Sequence, residues 1–182
     1  MLGKGFWILL VPVVVVALGS VAAAGAVAGT TGCSVKFTWK ANGHQYEGVC
    51  QKNVTWAQAI AGAKRAGGHL ATLQSASENL FVFSHVKFSA IWRPNGQGQS
   101  AGPWIGLYQK PGSAEPSGGW TWVTGEPLAW ADWSPGEPNN YQVQENGAIF
   151  WNTGSGPTAK WDDIARAPKL GYTGGYVIEW DK

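Results

Sequence analysis

The spacing of apolar residues predicts two helices in the first half of the chain. Apolar positions recur at helical spacing through residues 56–63, and a Gly-Gly pair at 67–68 ends that segment. Thr55 and Gln58 match the capping box, in which two side chains bond the free N–H groups of a helix start. Ser75 and Glu78 repeat that pattern before a second helix, which we expect to run to about Val86. Within it, three large residues are expected in the core: Leu80, Phe81 and Phe83.

Short apolar segments separated by turn residues predict strands in the rest of the chain. The predicted strands cover residues 35–39, 44–49, 69–73, 104–107, 120–123, 148–151, 160–161 and 176–180. The Asn42-Gly43 pair predicts a hairpin between the first two. Because the helices come first and antiparallel strands with long loops follow, the fold class is predicted to be α+β.

One long segment, residues 124–147, shows neither the helical nor the strand spacing of apolar residues. Compact domains rarely carry so long a loop without a functional reason. Four carboxylates lie in or after this segment. Glu137 and Glu145 are in its second half, and Asp162 and Asp163 directly follow the strand predicted at 160–161. Carboxylate and amide oxygens without histidine or cysteine suit Ca²⁺, which takes six to eight oxygen ligands. The sequence therefore favours a loop-built calcium site, and a polar surface loop with scattered acids is the alternative.

The first residues have a different composition. Residues 1–28 combine Lys4, an unbroken apolar run and small residues, which is the pattern of a secretory signal peptide. We expect the protein to be secreted. The alternative is an uncleaved anchor, because residues 5–29 carry no charge and are long enough to span a bilayer. The net charge of +2 is too small to indicate nucleic-acid binding.

Two cysteines, Cys33 and Cys50, flank the predicted hairpin. Export permits a disulfide, and an even count fits one bridge. A bridge across the base of the hairpin is the expected arrangement, with two free thiols as the alternative.

Several short motifs occur in a recognisable order: GGHLATLQSASEN at 67–79, WIGL at 104–107, GGWTWVTGEP at 118–127, Glu-Pro-Asn at 137–139, Glu-Asn at 145–146 and Trp-Asp-Asp at 161–163. In this order they resemble the C-type lectin-like domain over residues 33–182. The resemblance implies two helices, small antiparallel sheets and a long calcium-binding loop. It also implies Ca²⁺-dependent sugar binding, and its Glu-Pro-Asn form goes with glycans of the mannose, N-acetylglucosamine and fucose type.

The resemblance assigns a role to each residue of the site. Calcium ligands would be Glu137, Asn139, Glu145, Asp162 and Asp163. The first four of these would also bond the sugar hydroxyls, and Pro138 would set the loop, most readily through a cis peptide bond.

The chain departs from the family at three places. Two core disulfides are missing, because Ala63 with Ile178 and Gly147 with Arg166 occupy their positions; this resembles bacterial members. Asp162 replaces the usual asparagine. An ionised carboxylate donates no hydrogen bond, so this change favours the ion over the sugar. The family's auxiliary calcium site is expected to be absent, since Tyr108, Gln109 and Ser113 stand where it has acids.

Two other functions remain open on the sequence. The same fold without sugar recognition would bind a protein or another surface. An enzyme would need a nucleophile or base beside the acids, and the three histidines, His44, His69 and His85, are scattered; we expect structural roles for them and no catalysis. Sugar sites of this kind are shallow, so useful affinity would come from several copies of the domain. A homo-oligomer would supply these copies.

Overall fold

A computed structural model describes residues 33–34, 36–143, 145–166 and 173–182. The predicted signal peptide or anchor, residues 1–28, lies outside the described residues. Within the described ranges, no helix has the length and apolar character needed to cross a membrane.

The described chain contains two α-helices and nine strands. The helices are α1 (Trp56–Arg65) and α2 (Ala76–Val86). The strands are β1 (Lys36–Thr38), β2 (Gln45–Val54), β3 (His69–Leu70), β4 (Arg93–Pro94), β5 (Ser100–Gln109), β6 (Trp120–Trp122), β7 (Glu145–Asn152), β8 (Pro157–Ala165) and β9 (Thr173–Trp180). Short 3₁₀ turns cover Ser89–Ile91 and Tyr141–Val143. The predicted α+β architecture, with two helices and mainly antiparallel strand pairs, is confirmed.

The strands form one mixed sheet in the order β1-β2-β9-β5-β7-β8. β3 joins β9, while β4 and β6 join β5. Most pairs are antiparallel, and β5 runs parallel to β9 through the pair Trp104 and Tyr176. The hairpin of β7 and β8 at one side of the sheet carries three of the four predicted carboxylates, so the sheet fixes them relative to one another.

Both helices begin at the predicted caps, but the second cap differs from the prediction. At the start of α1 the Thr55 hydroxyl accepts from the Gln58 N–H. The Gln58 side chain accepts from the Thr55 N–H in turn, so the capping box is complete. At α2 the Ser75 hydroxyl accepts from the Glu78 N–H at 3.3 Å. The Glu78 carboxylate turns instead to the Gln74 N–H at 2.7 Å and to the Tyr46 hydroxyl at 2.6 Å. A buried tyrosine hydroxyl needs a partner, and that need outweighs the second half of the box.

Two further expectations about this region were wrong. Leu80 is 58% exposed, since the buried face of α2 is formed by Asn79 and Val82 and their neighbours. Phe81 and Phe83 are half-buried and pack against the core edge. The strand expected at 69–73 ends at Leu70, because the Ala71 and Thr72 N–H groups bond Val177 and the Glu179 side chain irregularly.

Tryptophans fill the core beneath the long loop. Trp104, Trp122 and Trp161 are fully buried, and Trp161 meets Trp122 and Trp130 edge-to-face with ring centroids 5.8 and 5.3 Å apart. The Trp104 indole N–H donates to the Val54 carbonyl at 2.9 Å. These large rings anchor a region of irregular backbone to the sheet.

The predicted disulfide between Cys33 and Cys50 is present, with Cα atoms 5.4 Å apart. The positions of the missing bridges are close as well. Ala63 and Ile178 lie in one buried cluster, and a Cβ on Gly147 would stand 2.6 Å from the Arg166 side chain. Packing therefore occupies both positions that the family resemblance assigned to bridges.

Candidate metal centre

The loop that leads to the site is tied to strand β8. Its Ser134 N–H donates to the Trp161 carbonyl at 2.8 Å, and the Trp161 N–H donates to the Asp132 carbonyl at 2.9 Å. Trp133 and Trp161 form an isolated parallel bridge, and their rings lie edge-to-face at 5.9 Å. A segment without regular structure is thus held beside the strand that carries Asp162 and Asp163.

A tight turn then directs Glu137 towards β8. The Glu137 N–H donates to the Ser134 carbonyl at 3.0 Å. Gly136 has φ of +95°, a conformation that glycine adopts without steric cost. The Glu137–Pro138 peptide bond is cis, as predicted for this run.

Three carboxylates converge where the loop meets the strand. One oxygen from each of Glu137, Asp162 and Asp163 lies within 4.8 Å of the others. Asp163 is fully buried and Asp162 is 8% exposed. Glu137 Oε2 is buried and, among the described residues, has no hydrogen-bond donor. A buried carboxylate oxygen without a donor, on a residue crowded by two other carboxylates, is a costly arrangement that a cation would relieve.

Asp163 also organises the backbone of the loop. Its Oδ1 accepts from the Asn139 N–H at 2.9 Å and its Oδ2 from the Asn140 N–H at 3.0 Å. The side chain of Asn139 is exposed at the loop surface. One buried strand carboxylate therefore fixes the two residues that follow Pro138.

Glu145 lies at the edge of this group and not within it. Its Oε2 accepts from the Tyr141 N–H at 2.7 Å, and its own N–H donates to the Asn140 side-chain oxygen at 3.0 Å. Its charge still acts on the other acids, since it raises the pKa of Asp162. The structure thus brings Glu137, Asp162 and Asp163 together. Glu145 lies outside this group, against the Tyr141 N–H.

Burial raises the pKa of all four predicted acids, and desolvation is the largest cause for each. Repulsion from neighbouring carboxylates adds to it for Glu137, Glu145 and Asp162. The pKa of Asp162 rises to about 9 and that of Glu145 to about 7. The pKa values of Glu137 and Asp163 are raised as well. A divalent ion would stabilise the ionised form of these acids, because its charge offsets both their desolvation and their mutual repulsion.

Asn140 is a site residue that the sequence analysis missed. Its φ is +50°, its N–H holds Asp163, and its side-chain oxygen holds the Glu145 N–H. Asparagine tolerates this left-handed conformation better than most residues. The available signal was the pair of asparagines that follows the proline. For Asn140 this signal indicates a turn residue rather than a ligand.

The chemistry of this centre fits a hard cation. Its donors are carboxylate oxygens that are buried, close together and without histidine. No nucleophile with a neighbouring base is part of the group.

Comparison with known proteins supports the fold. The family described as "Lectin C-type domain" matches residues 52–167. The chain belongs to the C-type lectin domain family. This family is generally non-enzymatic. Lectin BRA-3 from Megabalanus rosa is 28% identical over 137 residues, which cover 72% of this chain and 70% of that lectin.

Other relatives extend the comparison. The alpha-N-acetylgalactosamine-specific lectin of Patiria pectinifera is 31% identical over 105 residues, covering 58% of this C-type lectin domain chain and 55% of that protein. The chain therefore spans only part of some relatives. The solved structure of the C-type lectin CEL-I from Cucumaria echinata superposes with a TM-score of 0.56 at 25% identity, covering 75% of this chain and 89% of CEL-I.

Proposed function

We propose that this C-type lectin domain is a secreted, calcium-dependent carbohydrate-binding protein. The observation that carries the proposal is the unpaired, buried Glu137 Oε2 beside Asp162 and Asp163. An all-oxygen group of this kind matches the preference of Ca²⁺. Named relatives of the chain are lectins, which supports a sugar as the partner.

In this proposal the ion takes oxygens from Glu137, Asn139, Glu145, Asp162 and Asp163. The buried Asp163 has the additional task of fixing the loop backbone at Asn139. Glu145, which now accepts from the Tyr141 N–H, would turn towards the ion. The bound calcium would offer Lewis-acid coordination to sugar hydroxyls. Exposed Asn139 and half-buried Glu137 would bond those hydroxyls.

The expected ligands are glycans of the mannose, N-acetylglucosamine or fucose type, following the Glu-Pro-Asn run. Binding by a single shallow site should be weak, with Kd of roughly 1 mM. Several copies on one surface or in one homo-oligomer would raise the avidity. Secretion follows from the signal-like residues 1–28.

The second candidate function is that of a domain with the same fold that does not recognise sugar. A calcium-independent type II antifreeze protein shares this fold with a TM-score of 0.56 at 20% identity, covering 76% of this chain and 86% of that one. Asp162 favours this alternative, because a carboxylate cannot donate to a sugar hydroxyl. The partner would then be a protein or another surface.

Calcium titration followed by tryptophan emission tests the ion. Trp161 precedes Asp162 and packs against Trp133, so ordering of the loop should change the emission, and chelator should reverse the change. Retention on immobilised mannose, released by chelator, then tests the sugar. A calcium response without mannose retention would favour the second function, and no response at millimolar calcium would contradict the proposed metal site.

The dependence of stability on pH gives an independent prediction for the calcium-free protein. A carboxyl whose pKa is raised on folding binds more protons in the folded state, so its contribution to stability is lost as pH rises. The window runs from the ordinary pKa near 4 up to about 7 for Glu145 and about 9 for Asp162. In chelator, Tm should therefore fall between pH 5 and 9. With saturating calcium the fall should disappear, since the ion competes with protons. A chelator profile that is flat or rising would contradict the crowding of these acids.

A further inference from the structure

One exposed asparagine of strand β2 belongs to a triplet that the candidate metal centre does not use. Asn53, Val54 and Thr55 form an Asn-X-Thr triplet, and the full sequence contains no other Asn-X-Ser or Asn-X-Thr triplet. In chains exported through a eukaryotic secretory path, such a triplet is the acceptor for an N-linked glycan when its middle residue is not proline. The triplet joins the end of β2 to the start of α1, so the fold determines how its acceptor side chain is presented.

A bulge in β2 carries Asn53 away from the sheet. Between the strand pairs at Cys50 and Val54, three residues of β2 (51–53) face a single residue of β9. The extra residues of a bulge leave the hydrogen-bonded ladder, and all three are exposed here. Asn53 has φ of +57°, a left-handed conformation that asparagine tolerates better than most residues. The bulge therefore presents the acceptor side chain to solvent.

The amide of Asn53 is free to carry a group. Most asparagines of the described chain use their side chains in hydrogen bonds, as Asn79 does with the Ala159 carbonyl and Asn152 does with the Gly154 N–H. The Asn53 amide has no such partner among the described residues. It also lines an open cleft of about 230 Å³. A sugar ring joined to the amide nitrogen therefore has room on the surface.

The two residues that follow Asn53 are engaged once the protein has folded. Val54 is fully buried, and its carbonyl accepts from the Trp104 indole N–H at 2.9 Å. The Thr55 hydroxyl caps α1, where it accepts from the Gln58 N–H at 3.3 Å. Recognition of the triplet requires that hydroxyl as well as the asparagine. The modification therefore has to precede the formation of α1, while the exported chain is still extended.

We propose that Asn53 is the attachment site of one N-linked glycan, added as the chain enters the secretory path. The amide nitrogen attacks the anomeric carbon of a lipid-linked oligosaccharide pyrophosphate. A carbon–nitrogen bond forms, the bond from that carbon to the pyrophosphate oxygen breaks, and the amide nitrogen gives up one proton. The lipid pyrophosphate is the leaving group. The proposal rests on the secretion proposed from residues 1–28, and it does not depend on calcium or sugar binding.

The sheet separates this attachment site from the candidate metal centre. Strands β9 and β5 lie between β2 and β7 in the strand order, and β8 lies beyond β7. Asp162 and Asp163 belong to β8, and Glu137 to the loop that is tied to it. Glycosylation at Asn53 is therefore expected to leave calcium binding and mannose retention unchanged.

Expression of the full chain in a eukaryotic secretory host tests the proposal. The exported protein should migrate more slowly than its sequence requires, and peptide N-glycosidase should abolish the difference. That enzyme converts a glycosylated asparagine to aspartate, and mass spectrometry should find the conversion at residue 53 alone. A second form, in which a signal peptide of the host replaces residues 1–28, separates export from glycosylation. Absence of the shift in this form overturns the proposal. A shift in this form alone supports the acceptor and contradicts the signal peptide inferred from residues 1–28.

Both ends of the triplet also have local structural roles, so the variants are chosen to preserve those roles. Asn53→Gly suits the left-handed backbone, and Thr55→Asp keeps a capping side chain, but each destroys the triplet. Both should be exported with the far-ultraviolet circular dichroism of the wild type and should lose the mobility shift completely. Thr55→Ser is the matched control, because serine keeps both the cap and the triplet, and it should show the wild-type shift. A shift that persists in Asn53→Gly would place the glycan elsewhere and overturn the proposal.

Discussion

Replacing Asp163 with asparagine is expected to abolish calcium binding in the micromolar to millimolar range. The variant removes one of three converging carboxylates and leaves buried Asp162 and half-buried Glu137 in place. It also places an amide against the N–H groups of Asn139 and Asn140, both of which now donate to Asp163. Losing one buried acceptor costs about 1–3 kcal/mol, so the loop that presents Glu137 should lose its fixed conformation as well.

The measurement is the shift of Tm on adding calcium. A ligand at a hundred times its Kd stabilises the folded protein by about 2.7 kcal/mol, so wild type should show a shift of several degrees. Asp163→Asn should show none. In chelator the variant and wild type should differ less, because relief of the repulsion that Asp163 exerts on Glu137 and Asp162 offsets the lost hydrogen bond.

Asp132→Asn is the matched control. Asp132 lies in the same loop and bonds Lys160 and Asn79, away from the carboxylate group. Its substitution lowers stability in both conditions and should preserve the calcium-induced shift. A wild-type shift in Asp163→Asn would place the ion elsewhere in the molecule.

The fold was largely predictable, because its elements carry local signals. The cap at Thr55 and the Gly-Gly pair at 67–68 bound α1 where the periodicity predicted it. Leu80 was misplaced because the α2 face that packs on the core includes polar residues. Asn79 is fully buried there, where it accepts from the Trp161 indole and donates to the Ala159 carbonyl. Hydropathy alone cannot anticipate a buried asparagine that satisfies a tryptophan.

The candidate site was predictable in composition and less so in geometry. Oxygen donors in an unusually long loop indicated calcium, and the convergence of Glu137 with the acids of β8 followed the expectation. The displaced position of Glu145 was not predictable, because it depends on a backbone N–H at Tyr141. The contact of His44 with Glu179 was also hidden, since only the strand register brings residues so far apart in sequence together.

Replacing Asp162 with asparagine should strengthen mannose binding at saturating calcium while weakening the affinity for calcium itself. Asp162 is 8% exposed and faces the charges of Glu137 and Asp163, which together with burial raise its pKa. Asparagine removes that repulsion, and its amide donates one hydrogen bond that a carboxylate bound to calcium does not. One such bond contributes about 1 kcal/mol, or about fivefold in affinity.

Elution from immobilised mannose at increasing free mannose, with calcium held well above its Kd, measures the gain. The same variant should need more calcium for half-maximal retention, since it offers the ion one negative charge fewer. In chelator its Tm should fall less steeply with pH than that of wild type, because the group with the pKa of about 9 is gone. Weaker mannose retention at saturating calcium, with the loop otherwise intact, would mean that Asp162 is suited to this chain's own ligand. The protein or surface partner of the second function would then be favoured.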